Sequence, residues 1–213
     1  MTKPKKRPPP AGLSTGLSHG AICTAALKLI DREGLEEFST RKLGRALGVE
    51  AMAIYWYYPS KDALLDAVVD KLTEGLIAAL ANQGDWIAVL RDVAHAYRQI
   101  AHDHPLAFPL LATRRFASER TYMFMEQLFE LAQREGIDDK IAARFYRVVS
   151  SYCNGFALNE LATLRGAAPS TAALRKRFSR VAEVSKWLEP RYLDEMFEFG
   201  LELHLTSLAQ ATK

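Results

Sequence analysis

Phe38-Ser39-Thr40-Arg41-Lys42-Leu43-Gly44-Arg45-Ala46-Leu47-Gly48-Val49-Glu50-Ala51-Met52-Ala53-Ile54-Tyr55-Trp56-Tyr57-Tyr58-Pro59-Ser60-Lys61 holds two short helical patterns and the signals that separate them. Ser39 and Thr40 offer hydroxyl oxygens to cap a helix through Leu43, Ala46 and Leu47. Gly48 closes it, because glycine adopts left-handed backbone without a steric penalty. A second short helix follows over Ala51–Tyr58, and Pro59-Ser60 breaks it. Two short helices joined by a glycine-containing turn form a helix-turn-helix, whose second helix is presented to the DNA major groove. Small Gly44 and Ala46 permit close packing, and Leu43, Leu47, Val49 and Ile54 supply the apolar seam. An ordinary helical hairpin would explain that seam. It would not explain Tyr55, Trp56, Tyr57 and Tyr58 crowded on a short exposed helix.

The flanking sequence is helical throughout. Ile22, Ala26, Leu29 and Ile30 recur at helical spacing over His19–Arg32, and Gly34 stands as the terminator. After Pro59-Ser60 a long helix is expected from Lys61 to about Leu80, with Leu64, Leu65, Val68, Val69, Leu72 and Leu76 on its apolar side. Asp85 caps a helix ended by His104-Pro105, a short piece surrounds Phe108 to Ala112, and Ser118 to Arg134 turns Met123, Phe124, Leu128 and Leu131 inward. Asp138 opens a long helix to about Leu164. Patterns over Thr171–Leu188 and Arg191–Ala209 follow, separated by Pro190. No segment alternates with period two, so the fold class is all-α, with roughly nine helices.

Charge is segregated along the 213 residues: Met1–Lys61 holds 10 Lys/Arg against 5 Asp/Glu, leaving 18 against 20 for the remainder. A positive end suits approach to a polyanion, since neutralising phosphates releases counterions. Residues 1–15, rich in Pro and Lys, read as a disordered basic arm, either following the minor groove or merely solubilising. Cys23 and Cys153 lie far apart in apolar helical patterns and read as two reduced, buried thiols. No apolar run approaches the roughly 18 residues of a membrane span, and the basic start has no following apolar core, so the expected location is cytoplasmic. There is no phosphate-cradling glycine loop, nucleophile elbow or paired Cys/His spacing, so no enzyme, cofactor or metal is expected. His102-Asp103-His104 at a helix end reads as favourable to the helix dipole before it reads as a metal site.

The motif Leu47-Gly48-Val49-Glu50, Ile54-Tyr55-Trp56, Lys61 and Leu64-Leu65-Asp66 resembles the tetracycline-repressor subgroup of the TetR family. Met196-Phe197-Glu198-Phe199-Gly200-Leu201 resembles that family's final helix. The resemblance implies a three-helix DNA-binding domain (residues 16–60 here) and a ligand-binding and dimerisation domain (61–213) entered by a linking helix (61–80). It also implies a homodimer formed by the last two long helices, here Ile141–Leu164 and Arg191–Ala209, with Tyr152, Gly155, Phe156, Phe197, Gly200 and Leu201 as the contact. The expected function is a ligand-responsive transcriptional regulator, a repressor that binds a palindromic operator and is released by a small apolar or aromatic molecule. A dimeric helical protein-interaction module is the alternative.

Carried over by position, Thr40 matches a phosphate-contacting hydroxyl and Arg41 an arginine that reads a guanine edge. Tyr55, Trp56 and Lys61 match backbone-contacting positions, and Tyr57 stands where the subgroup has histidine. Ala51, Met52 and Ala53 replace more polar residues, leaving methyl contacts to thymine as their readout. In the second domain Phe108, Phe116, Met123, Phe124, Tyr152 and Phe156 are the expected ligand-binding residues, with Asn154, Asn159 or Arg147 as polar anchors. Leu110 and Thr163 fall where the tetracycline repressors hold magnesium–drug with histidine and glutamate. Tetracycline is therefore not the expected inducer.

Overall fold

A computed structural model describes residues 17–80, 84–114, 118–166 and 176–212. The basic arm, Phe116 and part of the Thr171–Leu188 pattern lie outside the described residues. The described residues contain helices and no strand. They form two compact units, divided between Leu72 and Thr73.

The first unit begins where the Ser18 hydroxyl accepts the Ala21 amide at 3.1 Å and starts α1 (His19–Glu33). Gly34, at φ 87°, ends it with its amide on the Ile30 carbonyl at 2.7 Å. Next come α2 (Thr40–Leu47), α3 (Ala51–Tyr55) and α4 (Lys61–Leu72). Ser60 caps α4 by accepting the Ala63 amide at 3.0 Å. Ile22, Ala26, Ile30, Leu43, Leu64 and Val68 are fully buried between α1, α2 and α4. The four-residue spacing along α1 and α4 puts one apolar stripe of each inward, and burying these residues is the main force that closes the unit.

The expected single helix 61–80 is divided at Thr73, after which α5 (Glu74–Leu80) begins. β-Branched Thr73 and Gly75 are poor helix formers, and the Leu76 amide bonds back to the Thr73 carbonyl at 3.0 Å in a tightened turn.

The second unit continues with α6 (Trp86–Asp103), α7 (Phe108–Thr113), α8 (Glu119–Arg134), α9 (Asp139–Arg165), α10 (Ser179–Ser185), a 3₁₀ turn (Pro190–Tyr192) and α11 (Leu193–Ala211). Asp85, Ser118 and Asp138 cap α6, α8 and α9 through side-chain oxygens, as their sequence positions lead one to expect. The 27-residue α9 is about 40 Å long and packs against α6, α7, α8 and α11. Trp86, Phe108, Leu128, Phe197 and Leu201 fill the surrounding core. Cys23 and Cys153 are buried free thiols in different units. Among the described residues no helix is long and apolar enough to cross a membrane.

Candidate nucleic-acid interface and ligand cavity

In the first unit α2 and α3 meet through their backbones. A Cβ on Gly44 would stand 2.7 Å from the Val49 carbonyl oxygen and 3.1 Å from the Ala51 amide nitrogen, so only glycine fits. The Val49 amide donates to the Gly44 carbonyl at 2.9 Å, and Gly48 turns the chain at φ 68°. The glycine signals in the sequence therefore mark two different needs: close approach at Gly44 and left-handed backbone at Gly48.

This contact presents one face of α3. Met52, Tyr55 and Trp56 are 67%, 36% and 48% exposed, a large apolar and aromatic surface for so short a helix. Arg41 stands exposed in the first turn of α2, and its side chain makes no ion pair or hydrogen bond with the described residues. Lys42, by contrast, is held by Glu33 at 3.1 Å and Glu37 at 2.9 Å. Thr40 and Tyr55 share a hydroxyl hydrogen bond of 3.2 Å, and Ala51 is half-buried at the start of α3.

Two expected DNA-facing residues, Ala53 and Tyr57, are placed differently. Ala53 is 7% exposed and turns inward beside Ile54, because a one-turn helix has room for a single buried edge. Tyr57 donates its hydroxyl to the Leu17 carbonyl at 2.9 Å, its ring edge-on to His19, so it anchors the start of α1. Tyr58 does the same to the His19 carbonyl at 2.8 Å, and burial pushes its phenol up to about 12. Lys61 is exposed but donates Nζ to the Phe38 carbonyl at 3.0 Å.

In the second unit an apolar space of about 700 Å³, part of it open to solvent, lies between α5, α6, α8 and α9. Leu76, Leu90, Val93, Phe124, Leu128 and Val149 give it apolar walls, with Thr73, Tyr97, Arg120, Thr121, Tyr146, Ser150 and Cys153 adding polar atoms. Burial pushes the Cys153 thiol up to about 12, so at neutral pH it is an uncharged wall and not a nucleophile.

Of the expected ligand residues, Phe124 lines this space. Met123 is 55% exposed: one residue from Phe124 is a 100° rotation, so the two cannot face the same way. Phe108 is core, edge-on to Tyr97 at 5.4 Å. Tyr152 and Phe156, four residues apart on α9, face α11 and not the cavity. Tyr152 donates to the Phe197 carbonyl at 2.8 Å, and Phe156 meets the Phe197 ring at 5.2 Å. Gly200 admits Tyr152, whose ring atoms come within 2.6 Å of where a Cβ would lie.

Sequence reasoning missed a buried charge cluster. Arg98, 9% exposed, holds Glu160 through Nε–Oε2 at 2.9 Å and reaches Asp194 at 2.7 Å, with its guanidinium 4.8 Å over the Phe197 ring. His102 approaches Glu160 at 3.1 Å. Burial alone would raise the Glu160 carboxyl, but the hydrogen bond and charge of Arg98, aided by His102, hold it below the ordinary carboxylate range. The cluster extends along the antiparallel α6 and α11 as His95–Glu198 at 3.1 Å and Arg91–Glu202 at 2.7 Å. The acids at 194, 198 and 202 recur every four residues, one stripe of α11. That periodicity was the available signal.

The chain belongs to the TetR family. The family model described as "Bacterial regulatory proteins, tetR family" matches residues 22–68, and "Tetracyclin repressor-like, C-terminal domain" matches residues 78–211. The tetracycline repressor protein class G of Vibrio anguillarum is 30% identical over 151 residues, which is 70% of this chain and 71% of that protein. The HTH-type transcriptional repressor Rv1353c of Mycobacterium tuberculosis is also 30% identical, over 140 residues, 63% of this chain and 54% of that protein. The chain thus spans about half the length of some of the curated relatives it matches. A crystal structure of a possible TetR family transcriptional regulator from Streptomyces coelicolor A3(2) superposes with a TM-score of 0.79 at 27% identity, covering 91% of this chain and all of the other.

Proposed function

We propose that this chain is a cytoplasmic, ligand-responsive transcriptional repressor that binds a palindromic operator as a homodimer and is released when a small molecule occupies the second unit. The observation that carries the reading is the exposed α3 face of Met52, Tyr55 and Trp56, beside exposed Arg41, on helices locked together at Gly44. Arg41 reads a guanine edge, Met52 and Ala51 offer methyl contacts, and Thr40, Tyr55, Trp56 and Lys61 meet the phosphate backbone. Two-fold symmetry sets two such helices about 34–36 Å apart, one DNA turn.

The dimer uses a different set of side chains from the one read in the sequence. Phe197 and Leu201 are buried within the chain, whereas Phe199 and Leu203 are 69% and 55% exposed on α11, and Val148 is 43% exposed on α9. These apolar residues, with exposed Gly155, supply the isologous contact. Release operates through Thr73, which follows α4 directly and lines the cavity, so a ligand touches the chain where the two units join in sequence. A coupling of about 1–3 kcal/mol lowers operator affinity about 5–150-fold, and operator lowers ligand affinity by the same factor.

The test is selection of operator sequences by the wild type and by Arg41→Ala. Loss of preference at one base pair, at a cost of about 1–3 kcal/mol, is expected. A uniform loss with base preference intact would overturn the role of Arg41, and absence of any duplex binding would overturn the function.

A further inference from the structure

We infer that segment 1–16 is a second DNA-binding element: Lys3, Lys5, Lys6 and Arg7 meet backbone phosphates flanking each half-site, from a root that Tyr57 and Tyr58 fasten beside α3. This rests on the DNA-binding reading above and extends it from base recognition to the source of affinity.

The folded part of the first unit is poor in positive charge. Residues 17–72 carry seven Lys/Arg against eight Asp/Glu, whereas 1–16 carry four against none. Several of those seven are already engaged. Arg32 pairs with Glu33 at 2.6 Å, Lys42 with Glu33 and Glu37, and Lys61 donates to the Phe38 carbonyl, while Lys71 also has a partner. Lys28, Arg41 and Arg45 make no ion pair with the described residues. A duplex carries one negative charge per about 1.7 Å of its axis, and neutralising those charges supplies the sequence-independent part of affinity. A unit that is net negative without 1–16 gains its attraction to DNA from that segment.

The root of the segment is held in the right place for this. The Tyr57 hydroxyl donates to the Leu17 carbonyl at 2.9 Å and the Tyr58 hydroxyl to the His19 carbonyl at 2.8 Å, and both rings meet the His19 ring edge-on, at 5.2 and 5.0 Å. These tyrosines directly follow exposed Trp56, so the segment leaves the fold next to the proposed interface. A fully extended chain covers about 3.3–3.6 Å per residue. Arg7, ten residues before Leu17, therefore reaches up to about 35 Å from the root, and Lys3 up to about 50 Å. One DNA turn is about 34 Å, so the four cations can span the flank of a half-site. Three of them are lysines, point charges that suit phosphates in any sequence, whereas an arginine fork suits base edges. Pro4, Pro8, Pro9 and Pro10 restrict backbone rotation, which lowers the entropy lost when the segment is laid along a duplex.

The test uses the full chain with K3Q, K5Q, K6Q and R7Q combined. It is titrated against the operator selected above, carrying one DNA turn of flank on each side, and against a mixed-sequence duplex of the same length. At about 0.1 M salt the variant should bind both at least about 10-fold more weakly, with base preference intact. Each lost phosphate contact lowers the slope of log affinity against log salt by about 1, so the slope should fall by about 4 per protomer. Trimming the flanks from the operator should erase the difference between the two chains. Tyr57→Phe should weaken operator binding about 2–10-fold in the wild-type chain and leave the combined variant unchanged, because the hydroxyl acts through the segment it holds. Wild-type affinity and slope in the combined variant, a shifted base preference, a difference that survives trimming, or an equal Tyr57→Phe loss in both chains would each overturn the inference. In all of these the wild type still binds its operator; a wild type that binds no duplex overturns the regulator reading, and the inference with it.

Discussion

Both units close on apolar cores, but the first sets the angle between α2 and α3 by backbone contact, whereas the second adds charged side chains that reach across long stretches of chain. Gly44 and Val49 are five residues apart, and the backbone contact that locks α3 against α2 lies between neighbours in the chain. Arg98 reaches Glu160 over 62 residues and Asp194 over 96. The difference suits the roles proposed for the two units. A recognition helix must be placed to within a hydrogen bond on a fixed lattice of base pairs, which backbone packing achieves because it has no rotamers to lose. A sensor must keep its helices apart around an unfilled space, and a buried ion pair can clamp helix ends without filling the middle.

The comparison breaks most severely at Arg98. Arg98→Ala leaves Glu160 buried with only His102 beside it and should cost the second unit about 3–5 kcal/mol in chemical denaturation. The same pair makes stability sensitive to acid. The Glu160 carboxyl lies below its ordinary value in the folded state, so its contribution is complete above the ordinary carboxylate range and is lost as pH falls through the lowered value. In Arg98→Ala that acid-dependent loss should shrink; an unchanged stability–pH profile would show that the pair does not supply it.

Gly44→Ala strikes the other unit. The new Cβ meets backbone, which cannot rotate away, and about 1–3 kcal/mol of overpacking is expected, with operator binding lost and thermal stability of the second unit unchanged. Lys61→Ala should be milder: loss of the bond to the Phe38 carbonyl costs about 1 kcal/mol of stability, and the salt dependence of DNA binding should fall by about one counterion. Met52→Ala sits at the small end. An exposed side chain contributes within about 0.5 kcal/mol to stability, so any larger effect should appear only in DNA affinity, measured by titration.

How far each region can be read from sequence follows the same division. The caps at Ser39, Ser60, Asp85, Ser118 and Asp138, and the terminators Gly34 and Gly48, are local events between residues two to four apart, and each stands where its sequence context puts it. The direction of single aromatic side chains on long helices was less legible. On α9, Val149 and Cys153 line the cavity while Tyr152 and Phe156 face α11. All four are apolar or aromatic and periodic, so composition alone cannot say which stripe meets a neighbour and which meets a void.

The sequence by itself determined the helical content, the helix-turn-helix with its two glycines, and the chemistry offered by Arg41 and the tyrosines, because these depend on backbone propensity and on partners a few residues away. Only the tertiary structure decided that the 61–80 helix breaks at Thr73, that Ala53 and Tyr57 turn away from the exposed α3 face, that Phe197 and Leu201 are spent inside the chain, and that Arg98 binds Glu160 and Asp194. Each of those outcomes is set by what packs against a residue from a distant part of the chain. A helical repeat specifies the angle of a side chain around its own axis, not the neighbour that waits there.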